Sequence, residues 1–176
     1  MATVKRIGFG QVEPNHLSAQ RNGQIYGQLP CAADIKILEN GQFVKYDYAN
    51  NEVNYTGKGE WMLVMNEVHT YDERDRGYKA FALRADEYDK GEITPRVFKT
   101  MPGDIFTTNT IKVGNTGSKV AVEIGDDETL VVGATLGINA NGFLALDGDK
   151  ENMEWQIVKV YTMPDAQFGV KVMRIK

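Results

Sequence analysis

Twice in this chain an Asn-Gly dipeptide stands between two short apolar runs. Asn40-Gly41 separates Ile35-Lys36-Ile37-Leu38 from Phe43-Val44-Lys45-Tyr46, and Asn141-Gly142 separates Leu136-Gly137-Ile138 from Phe143-Leu144-Ala145-Leu146. A two-residue type I′ turn needs positive φ at both central positions, which Asn followed by Gly reaches at little steric cost, so each dipeptide predicts a β-hairpin.

Alternating or continuous apolar runs predict further strands at Trp61–Met65, Val120–Ile124, Trp155–Tyr161 and Phe168–Ile175. Breakers fall between them at Gly57 and Gly59, Asn115 to Gly117, Gly125 to Asp127, and Pro164-Asp165. With 18 glycines but only two serines, Ser18 and Ser118, the glycine belongs to turns and not to a Gly/Ser linker. No long window keeps an uninterrupted helical period; Tyr78 to Tyr88 reads equally as a short helix or a strand. The residues show no internal repeat.

The fold class expected is therefore mostly β: a short-stranded barrel or sandwich with hairpins, an extended N-terminal arm and little helix. Residues 1–30 form the expected arm, because Gln11 to Gln28 is rich in Gln and Asn and poor in apolar side chains at either period; it reads as a segment that orders against something else. Residues 31–102 form a β-rich region with a charged loop, and residues 103–176 a small barrel or sandwich that can share one compact unit with it. The boundary is set at Pro102-Gly103.

At 176 residues the chain should bury roughly 70% of its unfolded surface, so neither metal nor disulfide is needed for folding. Its net charge of −4 gives no electrostatic reason to approach nucleic acid or an anionic membrane. Cys31 is the single cysteine, which excludes an intramolecular disulfide and suggests a reducing compartment. No apolar run approaches a span of about 20 residues, and no signal sequence or lipid anchor is expected.

The chemistry-bearing residues are sparse. A Ser/His/acid arrangement would need Ser18 or Ser118 with His16 or His69, and neither serine sits in a Gly-x-Ser-x-Gly elbow. Cys31 has no local basic cluster to depress its pKa and reads as a small semi-buried residue. The lone histidines lack zinc spacing. Asp147-Gly148-Asp149-Lys150-Glu151 fails the calcium-loop pattern because Asn152 stands at the glycine position and Val158 at the glutamate position. Gly8-Phe9-Gly10 leads into no helix, so it is no phosphate cradle. The expectation is no enzyme, no cofactor and no metal.

Two stretches carry a resemblance: Val12-Glu13-Pro14-Asn15-His16-Leu17-Ser18-Ala19-Gln20-Arg21-Asn22-Gly23-Gln24-Ile25-Tyr26, and Thr94-Pro95-Arg96-Val97-Phe98-Lys99-Thr100-Met101-Pro102-Gly103-Asp104-Ile105-Phe106-Thr107-Thr108-Asn109. Both resemble the small head decoration, or cement, proteins of tailed bacteriophages. The resemblance implies a structural virion protein made in the host cytoplasm. Such a protein sits on the capsid exterior, often as a homotrimer, and bridges neighbouring major capsid protein subunits. The residues expected to meet a partner are Glu13, Pro14, Asn15, His16, Arg21 and Tyr26 in the arm. In the mixed-charge loop they are Asp72, Arg74, Arg76 and Tyr78. Two other readings remain open: a tail-tube or other virion β protein, and a carbohydrate-binding module that stacks sugars on exposed tyrosines with Trp61 or Trp155.

Overall fold

A computed structural model describes residues 10–21, 29–66, 69–70, 79–80, 82–84, 93–111, 130–163 and 168–176. In chain order the elements are β1 (Val12–His16), α1 (Ser18–Arg21), β2 (Ile37–Glu39), β3 (Phe43–Asp47), β4 (Glu52–Asn54), β5 (Trp61–Val64), β6 (His69–Thr70) and β7 (Lys79–Ala80). There follow β8 (Ala82–Arg84), β9 (Val97–Phe98), β10 (Ile105–Thr108), β11 (Thr135–Ile138), β12 (Leu144–Ala145), β13 (Trp155–Thr162) and β14 (Phe168–Arg174). The protein is mostly β. A six-stranded sheet ordered β1-β10-β14-β13-β11-β12 curls into a half-barrel, and a four-stranded sheet ordered β4-β3-β5-β9 packs with it. Two small pairs, β2-β8 and β6-β7, complete the described strands.

The period-2 alternation of β3 and β5 explains why the four-stranded sheet is covered on both faces. Phe43, Trp61 and Leu63 point into a core shared with Phe106, Leu136, Trp155, Ile157, Val170 and Val172 of the six-stranded sheet. Val44, Tyr46, Met62 and Val64 point the other way, into a second core with Cys31, Leu38, Val53, Ile93 and Val97. Phe43 meets the rings of Phe106 and Trp155 at centroid distances of 6.3 and 5.7 Å, and those two rings meet edge to face at 5.0 Å. This shared core runs across the Pro102-Gly103 boundary expected from sequence.

The two Asn-Gly dipeptides end differently. At Asn141-Gly142 a hairpin forms between β11 and β12, with Gly137 opposite Ala145 and Ile138 opposite Leu144. Its loop is longer than predicted: Gly142 donates to Asn139 O, Asn139 donates to Phe143 O, and only Gly142 has positive φ, at 76°. That is a type I turn followed by a left-handed glycine. At Asn40-Gly41 no hairpin forms, since β2 pairs with β8 whereas β3 pairs with β4 and β5. Gly41 alone has positive φ, at 91°, so the turn has the type II pattern, which splays its flanking strands into different sheets.

Although the residues show no repeat, the backbone does. Gly41 donates to Val64 O and Gln42 O accepts from Val64 N; Gly103 and Asp104 make the same pair with Arg174, and Gly133 and Ala134 with Ile157. Each turn is closed by an i to i+3 bond, and the glycines have φ of 91°, 94° and 95°. The motif escapes a residue search because only its glycine is dictated by backbone sterics. The copies at Gly103 and Gly133 start β10 and β11, the strands that flank the central β13–β14 hairpin on either side.

Within Tyr78 to Tyr88 the described residues are strand, in β7 and β8. The expected strand at Val120–Ile124 and the expected turn residue Ser118 lie outside the described residues.

Candidate functional site

The segment read from sequence as an arm is, over its described part, built into the body. Val12 packs on the shared core and Leu17 is buried within it, so the sparse apolar residues of this stretch are the ones that anchor it. β1 pairs antiparallel with β10 from Val12 opposite Thr108 to His16 opposite Ile105, with a register shift between Pro14 and His16. α1 follows at once. Ser18 donates from its backbone N (3.0 Å) and its Oγ (2.5 Å) to Asp104 Oδ1, while Met101 N donates to Asp104 Oδ2 at 2.9 Å. One buried carboxylate thus fastens the start of α1 to the turn that opens β10, and the Ser18 hydroxyl is bound to that acid while His16 is exposed.

Among the described residues β1 is an edge of its sheet. Pro14 removes one ladder donor and the irregularity beside it bends the strand, both of which discourage another chain from adding a strand there. Pro14, Asn15 and His16 are exposed. Asn15 Oδ1 accepts from Thr107 Oγ1 at 2.8 Å, and the Tyr161 hydroxyl bonds Glu13 Oε2 and Thr107 Oγ1, each at 3.1 Å. Tyr161 sits opposite Gly169, so no side chain stands between its ring and β10. The ammonium groups of Lys159 and Lys171 lie 5.0 and 5.9 Å from its ring centroid. Burial raises the Tyr161 pKa, and the neighbouring Glu13 carboxylate adds to the rise. The outer face of the sheet thus carries Glu13, Asn15, Tyr161 and two lysines in one polar patch.

Of the residues expected to bind a partner, Glu13, Pro14, Asn15 and His16 come together on β1, and Arg21 ends α1. Tyr26, Asp72, Arg74, Arg76 and Tyr78 lie outside the described residues. Cys31 is buried, and that burial, with Glu52 and Asp34 adding to it, pushes its thiol up to about 12. Among the described residues no three His, Cys, Asp or Glu side chains gather to hold a metal, and no helix is long and apolar enough to cross a membrane. Trp155 is fully buried and Trp61 nearly so, whereas Tyr48, in the turn directly after β3, is 71% exposed and stacked on Tyr46.

Sequence reasoning did not single out the apolar side chains that the turns expose. Met101 (56% exposed), Val131 (53%) and Val132 (65%) stand on the two turns that open β10 and β11. The signal was available: two valines directly before a turn glycine, where polar residues usually stand. Protein-family models, curated proteins and solved structures all give no match to this chain.

Proposed function

We propose that the protein is a structural component of a tailed-phage virion. It binds the outer surface of the capsid as a homo-oligomer, a trimer by analogy with the decoration proteins it resembles, and bridges neighbouring major capsid protein subunits. One observation carries the reading: the two stretches that bear the resemblance, about ninety residues apart, are hydrogen-bonded neighbours as β1 and β10 and are tied again through Ser18 and Asp104. They form one structural unit.

Support for a gripping role comes from the turns. Apolar side chains at Met101, Val131 and Val132 are held on backbone turns that are themselves bonded to the sheet, so little ordering cost remains when they meet a partner. Deleting the whole arm is a poor test, because it removes β1 and Leu17 from the core. The cleaner test is co-sedimentation of the full chain with empty shells of the cognate major capsid protein, comparing wild type with a Val131→Asp, Val132→Asp double variant. The expected result is capsid binding that weakens at least tenfold in the variant while its circular dichroism is unchanged. Failure of the wild type to sediment with shells rejects the capsid reading, and self-assembled tubes in negative stain point to a tail tube instead.

A further inference from the structure

An Asn-Gly dipeptide can change its own covalent structure as well as turn the chain. Glycine has no side chain to shield its nitrogen, so that nitrogen can reach the asparagine side-chain carbonyl carbon and close a five-membered imide. Asn40-Gly41 and Asn141-Gly142 bring this chemistry into opposite surroundings.

Asn40 is buried, and both ends of its amide are held by Asn66. Its Oδ1 accepts from Asn66 N at 2.7 Å and from Asn66 Nδ2 at 3.3 Å, and its Nδ2 donates to Asn66 O at 3.2 Å. Gly41 N, the atom that would attack, donates to Val64 O at 3.0 Å. Asn141 is exposed, and among the described residues its side-chain amide has no hydrogen bond. Gly142 N donates to Asn139 O at 3.0 Å, the bond that closes the turn. Both glycines are buried and both attacking nitrogens are hydrogen-bonded, so the contrast lies in the asparagine side chains. At the reacting groups, four hydrogen bonds within a packed corner oppose imide closure at Asn40, and one bond in a surface turn opposes it at Asn141.

We propose that Asn141 is a modification site at which the folded chain deamidates, and that the isoaspartate product loosens the β11–β12 hairpin from β3. The Gly142 nitrogen bonds to Asn141 Cγ and gives up its proton as the Cγ–Nδ2 bond breaks, so ammonia leaves. Water then opens the imide. Cleavage at Cγ yields aspartate, and cleavage at the original main-chain carbonyl carbon yields isoaspartate, in which the former side chain carries the backbone. Each product adds one negative charge at neutral pH. In isoaspartate the Asn141 carbonyl that accepts from Gln42 Nε2 at 3.0 Å becomes part of a free carboxylate. One extra carbon then precedes Gly142, whose carbonyl accepts from Phe43 N at 2.6 Å. Those two bonds tie the hairpin to the start of β3. The site stands independently of the capsid reading.

The test incubates the full chain in mildly alkaline buffer, folded and in guanidinium chloride, and follows each Asn-Gly peptide by mass spectrometry after digestion. In the folded chain Asn141 is expected to convert at least tenfold faster than Asn40, and in guanidinium chloride the two are expected to convert within threefold of each other. Asn22-Gly23, a third such dipeptide, lies outside the described residues and is read as a separate peptide. The deamidated chain, isolated by ion exchange with its isoaspartate verified by enzymatic methylation, is expected to exchange the Phe43 amide proton at least tenfold faster than the unmodified chain. Folded Asn40 converting as fast as Asn141, Asn141 converting only when unfolded, or an equal contrast in guanidinium chloride each overturns the assignment of the site. Unchanged exchange at Phe43 overturns the loosening of the hairpin.

Discussion

The Cys31 thiol sits beside the Val53 bridge, inside the second core, and its burial has a consequence for alkaline stability. An unfolded thiol ionises near its ordinary value of 9.0, whereas the folded one keeps its proton to about 12. Between those values the unfolded chain binds fewer protons, so stability that is complete below pH 9.0 is lost progressively as pH rises toward 12. Tyr55, raised by burial from 10.0 to about 12, acts in the same direction at higher pH. Urea midpoints at about pH 8 and about pH 10.5 should therefore fall for the wild type and fall less for Cys31→Ala. An equal drop in both would assign the alkaline loss to other groups. The low reactivity of this thiol was legible in the sequence, since no cation stands near it. Its depth was not, because the residues that bury it, Ile93 and Val97 among them, come from about sixty residues downstream.

Turn-to-strand motifs are the recurrent element, and they allow two kinds of strain to be separated. Gly103 has φ of 94° with open space where a side chain would go, whereas a Cβ on Gly41 would lie 2.2 Å from Thr110 Oγ1 and 2.7 Å from Thr108 Oγ1. Gly103→Ala should cost only the conformational term of about 1–2 kcal/mol. Gly41→Ala should add an overpacking term of about 1–3 kcal/mol, making it clearly the more destabilised variant in urea unfolding. Equal losses would show that the Gly41 corner relaxes around the new methyl. Sequence patterning found β5, β13 and β14 nearly to their ends because alternation and aromatic content are local properties. It placed a hairpin at Asn40-Gly41 wrongly for a non-local reason. That turn is decided by Val64, which holds Gly41 and Gln42, and by Asn66, whose backbone N donates to Asn40 Oδ1 at 2.7 Å. The β1 edge was missed likewise, since Leu17 and Val12 carry no period that marks a strand.

For the whole molecule the decisive contact is between sheets. Phe43 belongs to the four-stranded sheet but lies fully buried among Phe106 and Trp155 of the other. Phe43→Ala should cost about 3–5 kcal/mol, and unfolding should remain one transition when followed by both tryptophan fluorescence and far-ultraviolet circular dichroism. Separate midpoints for the two probes would mean that the sheets unfold independently.

The position of β10 between β1 and β14 also orders events during synthesis. Its two neighbours come from Val12–His16 and Phe168–Arg174, so the sheet cannot close until the last strand has left the ribosome. Until then β10 waits with one edge bare. Strands that wait in this way are the ones most exposed to wrong pairing between nascent chains. β10 bears Thr107 and Thr108 at its C-terminal end, both fully buried once folded. Two hydroxyls there keep the waiting strand wet, and they acquire protein partners, Asn15 for Thr107 and Thr110 for Thr108, in the finished fold.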